Sequence, residues 1–423
     1  MTSRTAKVLG LVARVLPLAV VGLTVFHLIR SHLLERYLVP SGSMEPTLFG
    51  DPETGDLVLV DKTAWWRCEP QALDLVVVRN PAEGRQGHLV KRMVWKNHGY
   101  VAIRDGDLYT GSAAHALRRL QKDPVADRSL RVSWFRWPAP GHEALERVFR
   151  VGESGATIEG GALVLPPGAA SLEALTREME PMRRRARLRQ VPPDPYLPGH
   201  LATRGAVDTS FLDQEGRRRF VARAFDRDIG LAFECVPQAG CAGLSLVLEH
   251  QGIAYGFAYD ASGTVLRLEA GATLGAAMRL PPLRPGAAVR IAFGHLDGRL
   301  FVTVGDRHDA KILVDSEVPP RHEGEGPRPP FENLLHVGAA GGAVTLRSIE
   351  VFHDLYYKSD AGPYGRGTAP YEVGDGEMFL LGDNTFDSTD SRMRAHGQFP
   401  LRDLVGRPLA VIAPLRRARW LVR

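Results

Sequence analysis

The sequence predicts a mainly β protein with an N-terminal membrane helix and a large β-rich insertion. Residues 15–29 are almost continuously apolar, and together with residues 8–13 they reach the length that a bilayer span requires. Short runs rich in Val, Leu and Ile, bounded by turn-forming residues, recur over residues 56–110 and again over 205–350. Strands should therefore build both folded regions.

Composition and charge exclude some classes of function. The chain has 423 residues, which indicates two or three domains. The formal net charge is only +5 and no basic stripe carries aromatic residues, so no nucleic-acid partner is expected. The three cysteines lack zinc-binding spacing, and we expect neither a metal nor another cofactor. Cys235 and Cys241 are compatible with a disulfide across a short hairpin and equally with two buried thiols.

The N-terminal segment, residues 1–36, is expected to hold a cytoplasmic end and a transmembrane anchor. Basic residues (Arg4, Lys7 and Arg14) precede most of the apolar span, which favours a cytoplasmic N-terminus. A cleaved signal peptide is the competing interpretation, but no small-x-small cleavage site follows Ile29. We therefore expect a single-pass protein of the cell (inner) membrane, with the lipid bilayer as a partner and the rest of the chain outside the cytoplasm.

Two groups of strands flank a middle region of mixed character. The first group suggests a small β-barrel or folded sheet, with an Asp105-Gly106 hairpin turn before its last strand: residues 56–61, 74–79, 89–95, 100–103 and 108–110. Two more strands are expected near the C-terminus, at 378–381 and 409–414. The basic, partly aromatic end of the chain, residues 416–423, should either fray or touch the membrane.

The middle region predicts two helices, a stiff linker and a β-sandwich. The helices are expected over 113–122 and 171–190, the second with Ser171 as its N-cap, and the proline-rich linker over 192–198. Residues 205–350 predict a sandwich with strands at 244–249, 253–259, 264–268, 289–293 and 300–304. This pattern resembles jelly-roll, lectin-like modules, and the resemblance implies a glycan or peptide as a partner of the insertion.

Ser43 is the first candidate for chemistry. It lies in the stretch Pro40–Leu48, where Gly42 allows a bend and Pro46 prevents a helix from continuing. A hydroxyl at a tight bend suits a nucleophile, but Ser-Gly pairs are also common in surface turns. Taken alone, this stretch would favour the surface turn.

A serine nucleophile needs a base, and the sequence offers three candidates. Lys91 lies among apolar residues on a predicted strand, where burial would lower the pKa of its ammonium group. An edge-strand lysine that prevents aggregation is the alternative reading. His88 is the best rival base, although no histidine lies in a convincing motif. Lys62 is a weaker candidate, because it ends a strand beside a polar threonine.

Three motifs, in order along the chain, resemble those of type I signal peptidases, the membrane-bound Ser/Lys proteases of the S26 type. They are Ser-Gly-Ser-Met-x-Pro-Thr-Leu at 41–48, Val-Lys-Arg-Met-Val at 90–94, and Gly-Asp-Asn-x-x-x-Ser-x-Asp-Ser-Arg at 382–392. The last is the most specific, because seven positions match at fixed spacing. An Asp/Asn/Ser-rich surface loop is its alternative reading.

The resemblance implies a role for each residue of these motifs. Ser43 would be the nucleophile and Lys91 its general base, with Ser388 orienting the lysine. The Ser43 backbone N–H and the Ser41 hydroxyl would stabilise the oxyanion. A supporting polar and ionic network would be formed by Asp383, Asp390 and Arg392. The implied activity is cleavage of N-terminal signal peptides from secretory precursors after small residues at positions −1 and −3.

The resemblance covers about residues 37–110 and 371–415 and divides the chain into four parts. These are the anchor (1–36), the first part of a signal-peptidase-type β-barrel catalytic domain (37–134), the inserted region (135–350) and the second catalytic part (351–423). The large insertion resembles that in signal peptidases of some bacteria, such as planctomycetes. Trp95–Gly99 replaces the family's usual Gly-Leu-Pro-Gly, which puts the local subsite shape in doubt but not the catalytic pair.

Two other functions compete with this interpretation. A membrane-anchored, lectin-like binding protein would use the sandwich and carry a degenerate protease site. The intact Ser43, Lys91 and 382–392 motif argue against degeneracy. A self-cleaving Ser/Lys protease of the LexA-repressor type shares the catalytic pair, but the N-terminal membrane segment and the absence of DNA-binding helices argue against it.

Overall fold

A computed structural model of the chain describes most of its residues. The described residues are 15–17, 20–22, 24, 33–80, 87–104, 106–122, 130–138, 144–177, 200–203, 210–213, 217–219, 228–250, 253–269, 272–305, 310–316, 334–359, 369–393 and 398–421. The chain divides into two compact units. Unit 1 comprises residues 1–102, 110–118 and 359–423, and unit 2 comprises residues 103–109 and 119–358. Unit 1 is therefore assembled from segments that lie far apart in the sequence.

Unit 1 is built on an eight-stranded sheet. Its strands, in spatial order, are Leu34–Leu38, Leu57–Asp61, Leu404–Ala413, Leu75–Arg79, His88–Lys96, Glu377–Leu381 and Phe399–Pro400, with Arg419–Trp420 beside Leu404–Ala413. Neighbouring strands in this sheet are antiparallel. Successive valines of the strand Leu75–Arg79 point to opposite faces of the sheet. Val77 packs into one apolar cluster, whereas Val76 and Val78 pack into another. This central strand is therefore buried on both faces.

Unit 2 contains two larger sheets. The first runs Ala310–Asp315, Arg299–Val304, Val289–Leu296, Ile229–Pro237, Val344–Asp354, Ala162–Leu165 and Thr157–Glu159, with Arg131–Trp137 beside Val344–Asp354. The second runs Pro167–Ala169, Leu334–Ala340, Gly243–His250, Ile253–Asp260, Thr264–Glu269 and Ala272–Arg279, with His200–Ala202 beside Leu334–Ala340. One apolar cluster joins the sheets, with Phe233 and Phe293 from the first and Leu246 and Phe257 from the second. The sheets therefore share a core, as in a β-sandwich.

Smaller elements complete the described structure. A four-stranded sheet runs Tyr371–Val373, Gly99–Arg104, Asp107–Gly111 and Arg118–Arg119, and a two-stranded sheet pairs Phe211–Leu212 with Arg218–Arg219. Within the described part of residues 33–421 the α-helices are short: Ala64–Arg67, Leu145–Val148 and Leu172–Arg177. The 3-10 turns are Gly42–Met44, Gly152–Ser154, Ser391–Met393, Leu401–Asp403 and Leu415–Arg417. The protein is thus mainly β, as the sequence predicts.

The predicted strands are confirmed, whereas one predicted helix is wrong. Each of the predicted β runs lies within or overlaps an observed strand of the sheets above. Residues 113–122 do not form a helix: Arg118–Arg119 is a strand, and Leu120 N donates to Leu108 O at 2.7 Å. Backbone pairing with a neighbouring strand here overrides the helical propensity of an Ala- and Leu-rich run.

The second predicted helix begins where the sequence places it. Ala174 N donates to Ser171 Oγ at 3.2 Å, so Ser171 caps the helix Leu172–Arg177. The rest of that prediction, residues 178–190, lies outside the described residues, as do the linker 192–198 and Asp105 of the predicted hairpin turn.

The predicted membrane anchor lies largely outside the described residues. Val15 and Val20 belong to helical positions and are 53% and 54% exposed. Among the residues that the structure describes, none of the helices combines the length and apolar character that a membrane crossing needs.

Cys235 and Cys241 are separate buried thiols, and Cys68 is an exposed thiol. Burial raises the pKa of both the Cys235 and the Cys241 thiol. Of the two interpretations that the sequence allows, the structure thus supports the pair of free thiols.

Candidate active site

Ser43 lies in the 3-10 turn Gly42–Met44, directly after the extended residue Ser41. Met44 packs into one of the apolar clusters of unit 1, which anchors the turn while the Ser43 side chain stays partly exposed. The backbone leaves no room for a side chain at Gly50, where a Cβ atom would lie 1.8 Å from Ser41 O. The loop that follows the turn therefore packs tightly against it.

Lys91 comes from the strand His88–Lys96 and reaches this turn. Its Nζ lies 2.9 Å from Ser43 Oγ and 3.1 Å from Ser388 Oγ, and the side chain is almost completely buried. Pairing with the neighbouring strand sets Lys91 opposite Val76. Three segments that are widely separated in the sequence thus bring an amine and two hydroxyl groups together.

Burial lowers the pKa of the Lys91 ammonium group from 10.5 to about 8. Desolvation is the largest cause, because a charged ammonium loses water when it is enclosed by protein. The carboxylates of Asp390 and Asp383 act in the opposite direction and the guanidinium of Arg392 adds to the lowering. A fraction of Lys91 therefore carries a neutral amine near neutral pH, as a general base requires.

Ser388 is carried by the loop that follows the strand Glu377–Leu381. Gly382, at the start of this loop, lies so close that a Cβ atom there would be 2.1 Å from Ser388 Oγ and 2.4 Å from Ser43 O. Asn384 holds the loop to the serine turn, because its N donates to Ser43 O at 3.1 Å and its Nδ2 donates to Gly42 O at 3.0 Å. The glycine and asparagine thereby set the spacing between the two hydroxyl groups.

Two fully buried ion pairs lie behind the lysine. Arg392 donates to both carboxylate oxygens of Asp390, at 2.9 and 2.7 Å. Arg92 donates to both carboxylate oxygens of Asp383, at 2.8 and 2.6 Å. Asp390 Oδ2 also accepts from Gly382 N at 3.0 Å. Bidentate pairs of this kind restrict orientation as well as supplying energy.

The structure brings together all seven residues that the motifs single out, and it adds others that the sequence did not single out. Ser41 Oγ lies 3.5 Å from Ser43 Oγ on the exposed side of the turn. Thr47 Oγ1 donates to Asp383 Oδ2 at 2.5 Å, and Arg392 Nη1 donates to Thr385 Oγ1 at 2.6 Å. The sequence held a signal for Thr47, Thr385 and Arg92, since each lies in or beside one of the three motifs.

The rival bases have other partners. His88 packs against the ring of Tyr37, with 4.5 Å between the ring centroids, and burial lowers the pKa of its imidazole. Lys62 Nζ pairs with Glu35 Oε2 at 3.0 Å. The geometry therefore favours Lys91 as the partner of Ser43.

A separate acidic cluster lies in unit 2. The carboxylates of Asp107, Asp228 and Asp297 are buried, and one oxygen from each lies within 4.8 Å of the others. Lys122 Nζ is 3.5 Å from Asp297 Oδ1 and also contacts Asp354, so a buried ammonium group already supplies positive charge there. We assign the cluster a structural role.

Comparison with known proteins links these segments to one peptidase family. The family described as "Signal peptidase, peptidase S26" matches residues 12–136 and 347–413. Signal peptidase I of Mycobacterium tuberculosis is 36% identical over 72 residues, which cover 17% of this chain and 24% of that protein. Signal peptidase I T of Bacillus subtilis is 34% identical over 106 residues, which cover 25% and 52% of the two chains. The chain thus spans about a quarter of the length of the first curated relative it matches.

Solved structures give weaker likenesses. The carbohydrate-binding module CBM66 from Bacillus subtilis covers 36% of this chain and 85% of its own, with 14% identity and a TM-score of 0.23. Caenorhabditis elegans galectin LEC-6 covers 32% of this chain and 89% of its own, with 16% identity and a TM-score of 0.23. At these TM-scores the likenesses assign neither a fold family nor a ligand to this chain.

The family match falls on both segments that meet at the site: residues 12–136 contain Ser43 and Lys91, and residues 347–413 contain the 382–392 loop. In these two segments the chain is therefore similar to the family described as signal peptidase, peptidase S26.

Proposed function

We propose that the chain is a membrane-bound serine endopeptidase that cleaves N-terminal signal peptides from secretory precursors with a Ser43/Lys91 dyad. The observation that carries this proposal is the 2.9 Å distance between Ser43 Oγ and a buried Lys91 Nζ whose pKa is lowered to about 8. A nucleophile and a base at this distance, with a minor neutral fraction of the base already present near physiological pH, meet the requirements for acyl transfer.

In the proposed mechanism, the neutral Lys91 amine accepts the Ser43 proton as Oγ attacks the scissile carbonyl carbon. The carbonyl oxygen becomes an oxyanion, which accepts hydrogen bonds from Ser43 N–H and Ser41 O–H. When this intermediate collapses, the Lys91 ammonium returns its proton to the leaving amine and an acyl ester remains on Ser43. Lys91 then deprotonates a water that hydrolyses the ester, and Ser43 Oγ recovers a proton.

Ser388 and the buried ion pairs support this chemistry without touching the substrate. Ser388 Oγ, 3.1 Å from Lys91 Nζ, restricts the direction of the amine. Asp390 and Arg392 hold the 382–392 loop, and Asp383 ties that loop to Arg92, the neighbour of Lys91. We therefore assign Asp383, Asp390 and Arg392 supporting roles.

We further propose that the protein is a single-pass protein of the cell (inner) membrane, with its catalytic domain outside the cytoplasm. The apolar N-terminal sequence supports this topology. Unit 1 also exposes Trp66, Leu415 and Trp420, at 78%, 86% and 74% exposure, and tryptophan suits the membrane–water interface. If these residues face lipid, replacing both tryptophans by Ser should reduce binding of the detergent-free protein to anionic vesicles.

The proposed architecture is a signal-peptidase-type catalytic domain, residues 37–134 and 351–423, interrupted by an inserted region over 135–350. The insertion contributes none of the seven motif residues, and it supplies all of one large apolar core cluster except Trp134 and Val351, which supports an accessory role. We propose binding of a glycan or a peptide as that role. A variant that lacks residues 135–350 should keep part of its peptide hydrolysis, whereas complete unfolding would show that the insertion is integral to the fold.

The proposed activity is tested with purified full-length protein in detergent and a secretory precursor as substrate. Ser43→Ala and Lys91→Ala should each abolish cleavage, while His88→Gln, a change at the rival base, should leave it unchanged. N-terminal sequencing of the product should show a cut after small residues at −1 and −3. Cleavage retained by either dyad variant would refute the mechanism.

A further inference from the structure

Residues 415–421, near the C-terminus, lie in unit 1 beside the loop that follows the nucleophile. They form the 3-10 turn Leu415–Arg417 and the strand Arg419–Trp420, which pairs with Leu404–Ala413. Up to residue 421 the chain is therefore paired rather than frayed, and contact of this end with the membrane, the other alternative, stays a prediction. Two arginines of this end, Arg417 and Arg419, are called the C-terminal clamp below.

Arg417 contacts the loop formed by residues 45–56, which we call the nucleophile loop. Its Nε donates to Asp56 Oδ1 at 2.5 Å and its Nη2 donates to Thr54 O at 2.9 Å. Asp56 is fully buried, and its other oxygen accepts from Phe49 N at 3.0 Å. The buried guanidinium group of Arg417 thus contacts the C-terminal end of this loop, and Asp56 joins that end to Phe49.

Arg419 acts on the first half of the same loop. Its Nη2 donates to the backbone oxygen of Thr47, whose hydroxyl group donates to Asp383 Oδ2 at 2.5 Å. Thr47 is therefore held from two sides, by its carbonyl and by its hydroxyl. Leu48 N donates to Met44 O at 2.9 Å, which joins this point directly to the turn that carries Ser43.

Buried ion pairs are a poor source of stability, because desolvation of both charges offsets most of their attraction. They do fix geometry, since a guanidinium group with several acceptors has few alternative arrangements. The Arg417–Asp56 pair holds the far end of a loop that has little regular structure of its own and that begins directly after the turn carrying Ser43.

We infer that Arg417 and Arg419 are positioning residues for the proposed reaction. Their contacts hold the nucleophile loop so that Ser43 Oγ stays within hydrogen-bond distance of Lys91 Nζ. Both residues contact the nucleophile loop, at Thr47, Thr54 and Asp56, so they act on Ser43 through this loop. The inference rests on the proposed function, because it concerns the same serine.

The test compares Arg419→Gln and Arg417→Lys with Arg416→Gln in the full-length protein. Arg419→Gln removes the Nη2 donor to the Thr47 carbonyl and leaves the Arg417–Asp56 ion pair in place. Arg417→Lys keeps a positive charge opposite Asp56 but removes the Nη2 group that donates to Thr54 O. Arg416 is the matched control, since it lies in the same 3-10 turn and its side chain is exposed.

Each variant is measured for kcat, KM, the pH midpoint of kcat/KM and the melting temperature. A small displacement of reacting groups can cost about 100-fold in rate, so we expect kcat to fall about 10- to 100-fold in both clamp variants. KM should stay within about twofold, because the variants leave Ser41, Ser43 and Lys91 unchanged, and the pH midpoint should not move, because the buried groups around Lys91 are kept. The control should match the wild type.

Wild-type kcat in a folded Arg419→Gln protein would overturn the inference, and so would an equal loss of kcat in Arg416→Gln. A shift of the pH midpoint in a clamp variant would also overturn it, because the arginines would then act on Lys91 electrostatically. Arg419→Gln keeps the buried ion pair, so its kcat decides the matter even where Arg417→Lys lowers the melting temperature. An inactive wild-type enzyme would instead refute the proposed function itself.

Discussion

The protonation of Lys91 should control the pH dependence of cleavage. With a pKa of about 8, roughly one Lys91 in ten is neutral at pH 7 and roughly nine in ten are neutral at pH 9. A lysine with the ordinary pKa of 10.5 would be neutral in only about three molecules in ten thousand at pH 7. Burial therefore raises the neutral fraction at pH 7 by roughly 300-fold.

The sign of the effect follows from the role of the base. Only the neutral amine can accept the Ser43 proton, so kcat/KM should rise with pH, about tenfold per unit well below pH 8, and level off above it. Between pH 7 and pH 9 the increase should be about tenfold. Desolvation is the main cause of the lowered pKa. A polar residue in the apolar cluster that contains Val76, the residue opposite Lys91, should therefore move the midpoint upward, as in Met93→Ser.

The assay is hydrolysis of an internally quenched peptide with alanine at −1 and −3, measured from pH 5.5 to pH 10. Circular dichroism over the same range shows whether the enzyme stays folded. His88→Gln is the control and should keep the wild-type midpoint. A midpoint near 6.5 that disappears in His88→Gln, or a midpoint near 10 in the wild type, would refute the reasoning.

Three further predictions concern neighbouring groups. Ser388→Ala should lower kcat about 10- to 100-fold with KM little changed, because the 3.1 Å contact that directs the Lys91 amine is lost; steady-state kinetics measure this. Arg92→Met leaves the Asp383 carboxylate buried without its bidentate partner, so the free energy of unfolding in urea should fall by about 3–5 kcal/mol. A thiol-reactive dye should label only Cys68 in the native protein and all three cysteines after denaturation.

Each of these predictions has a contrary outcome. Equal kcat in Ser388→Ala and the wild type would mean that the lysine is oriented by its pocket alone. Unchanged stability in Arg92→Met would mean that Asp383 gains a proton or a new partner at little cost. Protection of the two buried cysteines from dye after denaturation without reductant would indicate a disulfide rather than two thiols.

Much of the fold was predictable because its signals are local. Runs such as Leu57–Asp61 and Leu300–Val304 combine β-branched residues with flanking turn residues, and both are strands. The run 113–122 was misread, because its Ala and Leu content favours a helix while the backbone pairing that decides the outcome comes from a neighbouring strand. The second helix was predicted at its start, where Ser171 provides a cap within three residues.

The sequence alone determined which residue types are available for chemistry and in what order. A serine at a bend, a lysine among apolar residues and a loop of Asp, Asn and Ser at fixed spacing are local patterns, and they carry the resemblance to one peptidase family. Only the tertiary structure decided that Lys91 lies 2.9 Å from Ser43 and 3.1 Å from Ser388. It also revealed that Arg417 holds the loop behind the serine. The physical reason is that sheet register and burial depend on strands distant in sequence, and no local pattern specifies which of them will meet.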